Sequence, residues 1–248
     1  MLFFSPLEQF EIVPIISFIL PSKLIITNSS FFLILTIIIV LFYFKLTVNY
    51  STIIPNRWQA LTEMTYEFIQ NMLYEALHEK GNKFFPIIFT IFVFIFSCNL
   101  LGMIPYTFTV TSHIIFTFGL GMVIFIGINI IGIKKHGLHF FSLFLPPGAP
   151  LSLALLLVPI ELVSYVFRVI ALSVRLFANM MAGHTLVKIL SGFAWTMLSV
   201  GGVLAIASVV PFGVVLALTG LEIGVACLQA YVFTILLCIY LNDAINLH

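Results

Sequence analysis

Runs of apolar residues long enough to cross a membrane, separated by short polar stretches, set the pattern of this chain. Phe31 to Leu46, Phe84 to Met103 and His113 to Ile133 each approach the roughly 20 residues that span a hydrocarbon core as helix. Ile104-Pro105-Tyr106 marks a turn between the second and third runs, and Lys134, Lys135, His136 and His139 form a polar loop after the third. Ser5 to Asn28 mixes polar and apolar residues with Pro6, Pro14 and Pro21, which predicts an irregular or partly helical amphipathic start. Arg57 to Lys83 sets charges among apolar residues such as Leu61, Met64, Phe68, Met72 and Leu73. Its apolar periodicity predicts an amphipathic helix on the membrane surface rather than a soluble inter-helix loop. Pro146, Pro147 and Pro150 set off the last hundred residues. From Leu151 to about Leu198 the pattern is helical throughout, with Pro159 inside it. Gly201-Gly202 predicts a turn, and a second long stretch with Pro211 near its start runs to Leu247. Each long helix would reach roughly 65–70 Å, against a hydrocarbon thickness of about 30 Å, so both must tilt steeply.

Composition fixes the class. Of 248 residues 62% are hydrophobic and only 8% charged, and mean hydropathy is +1.22. Such a chain is an integral membrane protein. The long helical segments argue against the alternating short strands of a β-barrel. The predicted fold is an all-α integral membrane protein. About four shorter N-terminal helices, one of them amphipathic on the surface, precede two long, steeply tilted C-terminal helices that form a hairpin. The chain divides as one membrane domain, 1–248, with N-terminal helices over 5–149 and the hairpin over 150–248. Met1 to Phe4 is too short for a secretory signal and adds no anchor, and residues 1–4 are expected to be a removed leader.

A net charge of +1 gives no reason to expect nucleic acid. Cys227 and Cys238 would lie about 16 Å apart on one helix, too far to bridge, and with Cys98 they read as small apolar residues. Gly119 and Gly121 resemble a piece of a dinucleotide fingerprint, but no strand precedes them. His136-x-x-His139 lacks a third ligand, so no metal is expected there. No cofactor is expected either.

The candidate chemistry lies in the hairpin. Arg175 sits in an almost wholly apolar run and cannot lose its proton. A charge at mid-membrane costs roughly 2.5–3.5 kcal/mol on insertion scales. Glu161, Arg168 and Arg175 are spaced by seven, as are Glu222, Gln229 and Asp243 with Leu236 in the remaining slot. Seven residues are nearly two turns, so each set forms a stripe on one helix face. Glu161 with Arg168, or Glu222 with Arg175, could be a purely structural ion pair. His184 alone could be a core histidine. But these groups share two helices with Lys188 and the amides Asn179 and Gln229, and so many costly groups point to an ion pathway. His184 titrates near neutral pH and, beside Glu222, is a candidate proton acceptor.

The stretch Arg175-Leu-Phe-Ala-Asn179-Met-Met-Ala-Gly183-His184 closely resembles the signature of subunit a of F-type ATP synthase, in its mitochondrial form. Glu161-x-x-Ser164, Ser173-x-Arg175, Glu222, Gln229-Ala-Tyr231 and Leu241-Asn-Asp243 extend the likeness over nearly the whole chain, and Phe177-Ala178 falls where family members vary. Ser5-Pro-Leu-Glu-Gln-Phe-Glu-Ile resembles the mature start of fungal members.

The resemblance implies a non-catalytic, proton-translocating stator subunit of the mitochondrial inner membrane. It implies two half-channels that do not meet, and two long helices curved around a proteolipid c-ring. Arg175 would face the ring carboxylates. His184 and Glu222 would belong to the intermembrane-space half-channel, Glu161 and Asp243 to the matrix one. Arg168, Ser173, Asn179 and Gln229 complete the expected proton-translocating set. Partners would be the c-ring, other stator and membrane-sector subunits and the lipid bilayer. Other subunits would carry the ATP chemistry. An autonomous secondary transporter is the alternative, but no inverted repeat is visible. A purely structural membrane subunit is a third class.

Overall fold

Among the described residues, five helices are long and apolar enough to cross a membrane. They belong to a computed structural model that describes residues 5–17, 25–49, 54–104, 107–144 and 151–246. The helices are α1 (Asn28–Asn49), α2 (Arg57–Leu77), α3 (Phe85–Gly102), α4 (Ile114–His136), α5 (Leu151–Val200), α6 (Val203–Ala207) and α7 (Val209–Ile245). Helices α1, α3, α4 and α5 each supply one of these spans, α6 and α7 together supply the fifth, and α2 lies outside them.

The chain start differs from its expected irregular or helical form. A short 3-10 turn at Glu8–Phe10 leads into β1 (Pro14–Ser17), which pairs antiparallel with β2 (Ile25–Thr27). Val13, Ile15, Ile16, Ile25 and Ile26 favour extended backbone. Asn28 ties the pair to α1: its amide donates to the Glu11 carbonyl at 2.8 Å and its backbone N–H to the Val13 carbonyl at 3.1 Å. Helix α2 buries Ile69, Met72, Leu73 and Leu77, one stripe at helical spacing. It is shorter than the predicted Arg57 to Lys83. His78 takes φ +53, and 3-10 turns carry the chain to Phe84.

Lys134, Lys135 and His136 form the last turn of α4 rather than a loop, where cations suit the negative end of the helix dipole. Gly137, at φ +59, ends the helix. The expected turn residues Pro105 and Tyr106 and the prolines at 146, 147 and 150 lie outside the described residues, as do Met1 to Phe4.

Helix α5 runs through Pro159 without interruption for 50 residues, about 75 Å. The turn falls at the predicted glycines, with φ +76 at Gly201 and +65 at Gly202, values that suit residues without a β-carbon. The second long stretch is broken once, at Ser208, so that α6 is a single short piece and α7 spans 37 residues, about 55 Å. Pro211 sits in the first turn of α7, where its missing N–H is not needed. Helix α7 packs against α2, α3, α4 and α5. The core at these contacts is Ile69 and Leu73 of α2, Ile88 and Ile95 of α3, and Phe233, Leu237 and Cys238 of α7. The three cysteines are free.

Candidate functional site

Helices α5 and α7 lie antiparallel, and their polar residues meet in opposed sets. Gly183 stands against Glu222, Asn179 against Gln229 and Arg168 against Asp243. The α5 partner falls as the α7 partner rises, as an antiparallel pair requires. The seven-residue register of Glu222, Gln229 and Asp243 therefore faces α5.

At one end, Arg168 joins two acids. Its Nη2 lies 3.4 Å from Glu161 Oε1 and its Nη1 3.6 Å from Asp243 Oδ2. The guanidinium carbon stands 5.7 Å from the centre of the Tyr240 ring. Beyond Asp243, the end of α7 is held by basic residues from elsewhere. The Ile245 carbonyl accepts from Lys135 Nζ at 3.1 Å and lies 2.9 Å from His136 Nε2. Lys80 Nζ donates to Asn246 Oδ1 at 2.8 Å. His136 is thus engaged by backbone, and no metal-binding group of His, Cys, Asp or Glu occurs among the described residues.

At the other end, His184 and Glu222 line a cavity of about 230 Å³ with Met103, Asn179, Gly183 and Val225. His184 Nε2 and Glu222 Oε1 are buried without hydrogen-bond partners. Gly183 allows this approach, since a β-carbon there would stand 2.9 Å from the Glu222 carboxyl carbon. Between the two ends, Asn179 Nδ2 donates to Gln229 Oε1 at 3.1 Å.

Arg175 belongs to neither end. It follows Arg168 by about 10 Å along α5 and precedes His184 by about 13 Å. Leu172, Ser173 and Leu176 beside it are buried, but Arg175 is exposed. No carboxylate lies within ion-pair distance of it among the described residues. Of the two structural pairs the sequence allowed, Glu161–Arg168 forms and Glu222–Arg175 does not. Ser173 stands apart from the acidic groups. Its hydroxyl donates to the Val169 carbonyl at 2.9 Å and packs on Gly121 of α4, where a β-carbon would come within 2.6 Å. That contact gives Gly121 a packing role.

Three residues outside the sequence-derived set join this architecture. Tyr165 donates to Asn129 Oδ1 at 3.1 Å, linking α5 to α4. Asn99, the one amide in α3, is fully buried and donates to the Ala226 carbonyl at 3.3 Å. A lone amide in an apolar run is the same signal that singled out Arg175.

A family model described as ATP synthase A chain matches residues 30–242. The chain is 57% identical over 249 residues to a protein of Marchantia polymorpha named ATP synthase subunit a, covering 98% of this chain and 99% of the relative. Proteins of the same name from Chondrus crispus and Rhodospirillum rubrum are 56% and 51% identical, each over 245 residues. Those matches cover 98% of this chain and 97% and 99% of the relatives.

Proposed function

The chain belongs to the ATP synthase A chain family, a proton-translocating part of that enzyme's membrane sector, and we propose that α5 and α7 carry the protons through two offset half-channels. One runs by His184 and Glu222, the other by Glu161, Arg168 and Asp243, and Arg175 stands between them. The Arg175 side faces a ring of proteolipid subunits, each bearing a membrane carboxylate. The observation that carries this reading is the exposed guanidinium of Arg175 on a membrane-spanning helix, with no carboxylate in ion-pair range among the described residues and an acidic group toward either end.

Such a charge is costly in lipid and calls for a partner outside the chain. A ring carboxylate must be neutral to face lipid, so it travels protonated. Beside Arg175 its ionised form is favoured, because an adjacent positive charge stabilises a carboxylate. There it releases its proton to one half-channel and accepts another from the second. Arg175 itself cannot relay a proton, since it stays charged at any working pH. It also repels a proton that would pass directly from channel to channel. The membrane potential supplies about 2.3 kcal/mol per charge per 100 mV, which gives the exchange a direction.

The Glu222 cavity opens to the intermembrane space, and the Asp243 group to the matrix, of the mitochondrial inner membrane. Residues 150–248 form the channel hairpin and 5–149 its support. Helices of about 75 and 55 Å in a core of about 30 Å lie steeply tilted, which suits a surface wrapped around a ring. Other subunits of the complex perform the ATP chemistry. The test is a photo-crosslinking side chain in place of Val174, an exposed neighbour of Arg175. In the assembled complex it is expected to capture a proteolipid subunit. Capture of lipid alone, or only of subunits outside the ring, overturns the proposed face.

A further inference from the structure

An apolar groove of about 690 Å³ runs between α3 and α4 and is lined also by Leu237 and Leu241 of α7. Every side chain along it is apolar. Gly119 and Gly127 of α4 widen it, since a β-carbon at either would meet nothing within 4 Å. A second groove, of about 330 Å³, lies between α3 and α1. Ile91 and Phe94 of α3 line both grooves and so form a wall between them. Along α4 the larger groove reaches from Ile131 back to Ile115, about 24 Å. One leaflet is half of a hydrocarbon core about 30 Å thick, or about 15 Å. The groove is therefore deep enough for the full acyl chain of a lipid.

One end of the larger groove is basic. Phe84 and Ile131 line that end; Lys83 precedes Phe84, and Lys134 stands one turn beyond Ile131. Both lysines are exposed, and no carboxylate lies within ion-pair distance of either among the described residues. Lys80 and Lys135 converge on the same place, where they bond Asn246 and the Ile245 carbonyl, one turn beyond Leu241. Asp243, the acid on that stretch of α7, is paired with Arg168. Lys83 also stands at the start of α3, the positive end of its dipole, where a cation is disfavoured and an anion favoured.

We propose that this face binds an anionic phospholipid from the leaflet at the Asp243 end. Its phosphate lies against Lys83 and Lys134, and its two acyl chains lie in the two grooves, one on each side of Ile91 and Phe94. Basic rims beside membrane helices attract anionic headgroups in this way. Flexible chains pass on both sides of the wall, whereas one helix about 10 Å across cannot enter both grooves. The inference goes beyond the half-channel reading and stands independently of it.

The assembled complex in phosphatidylcholine vesicles tests it. Phosphatidylglycerol with photoactivatable acyl chains is expected to label the α3 and α4 peptides at least fivefold more than phosphatidylcholine with the same chains. Lys83→Gln combined with Lys134→Gln should bring the two lipids within twofold of each other. Gly127→Leu fills the groove from a position with open space around it. It should cut labelling by phosphatidylglycerol at least fivefold and leave assembly and proton pumping near the parent values. Equal labelling of the parent by the two lipids, or a preference that survives loss of both lysines, overturns the inference. If a variant fails to assemble, the comparison of lipids on the parent decides. A photo-crosslinking side chain in place of Val123, 72% exposed beside the groove, tests the other occupant. Capture of phospholipid agrees with the proposal, and capture of a transmembrane subunit overturns it. Labelling needs no proton flux, so failure of the half-channel reading would leave this result standing.

Discussion

Glu222 reaches α5 only because residue 183 has no side chain: a β-carbon on Gly183 would lie 2.9 Å from the Glu222 carboxyl carbon. Backbone and acid are in van der Waals contact across the two long helices. The glycine thereby sets where the acid stands in its cavity.

Gly183→Ala is therefore expected to push Glu222 out of position and to cut proton flux at least fivefold in reconstituted vesicles. Gly220→Ala is the control, because a β-carbon there meets nothing within 4 Å. It should leave flux near the parent value. Equal flux in the two variants would show that the close approach has no part in transport.

Arg175→Lys should abolish ATP-driven proton pumping while leaving assembly largely intact. Lysine keeps the charge but can lose its proton when desolvated, and it lacks the planar fork of arginine. Pumping is measured in membranes containing the assembled complex. A rate above half that of the parent would refute the role assigned to Arg175.

Glu222→Gln should lower proton flux tenfold or more, equivalent to at least about 1.4 kcal/mol of barrier. His184→Ala should cost less. Both side chains line one cavity, so the double variant should cost less than the two effects combined. Strict additivity of the logarithms of flux would separate the residues into independent roles.

Arg168 serves Glu161 and Asp243 together. Arg168→Gln leaves two acids without their shared cation, whereas Asp243→Asn leaves one ion pair in place. The first should reduce flux more than the second, and the exchange Arg168→Asp with Asp243→Arg should recover part of the loss. Both are read in vesicles after assembly is verified by native electrophoresis. No recovery, with the two single variants equal, would count against the ion-pair geometry.

Much of this was legible in the chain because apolar runs and rare charges are strong signals. The spans around α1, α3 and α4 followed from run length, and the turn followed from Gly201-Gly202. Pairing was less visible. Spacing of seven grouped Arg175 with Arg168, but spacing does not say which neighbour a side chain meets. The structure gives Arg168 two acids and leaves Arg175 facing outward. The β1–β2 pair was hidden because its strands hold only four and three residues. The break at Ser208 was equally local: its hydroxyl bonds the Ala205 carbonyl at 2.6 Å, inside an otherwise continuous apolar pattern. Asn99 was readable by the same logic as Arg175, but its partner on α7 lies 127 positions away in sequence.

The three opposed sets on α5 and α7 also limit where the hairpin can change length. One residue inserted between Gln229 and Asp243 would turn everything beyond it by about 100° and advance it by about 1.5 Å. Glu222 and Gln229 would keep their places, while Asp243 would swing away from Arg168. An insertion between Glu222 and Gln229 would split the sets at that point instead. Extra residues near Gly201 to Ser208 would leave all three sets in phase, because that connection already departs from helix. Length variation is thus expected to collect at the tip of the hairpin, and the stretch from Glu222 to Asp243 to hold a fixed count.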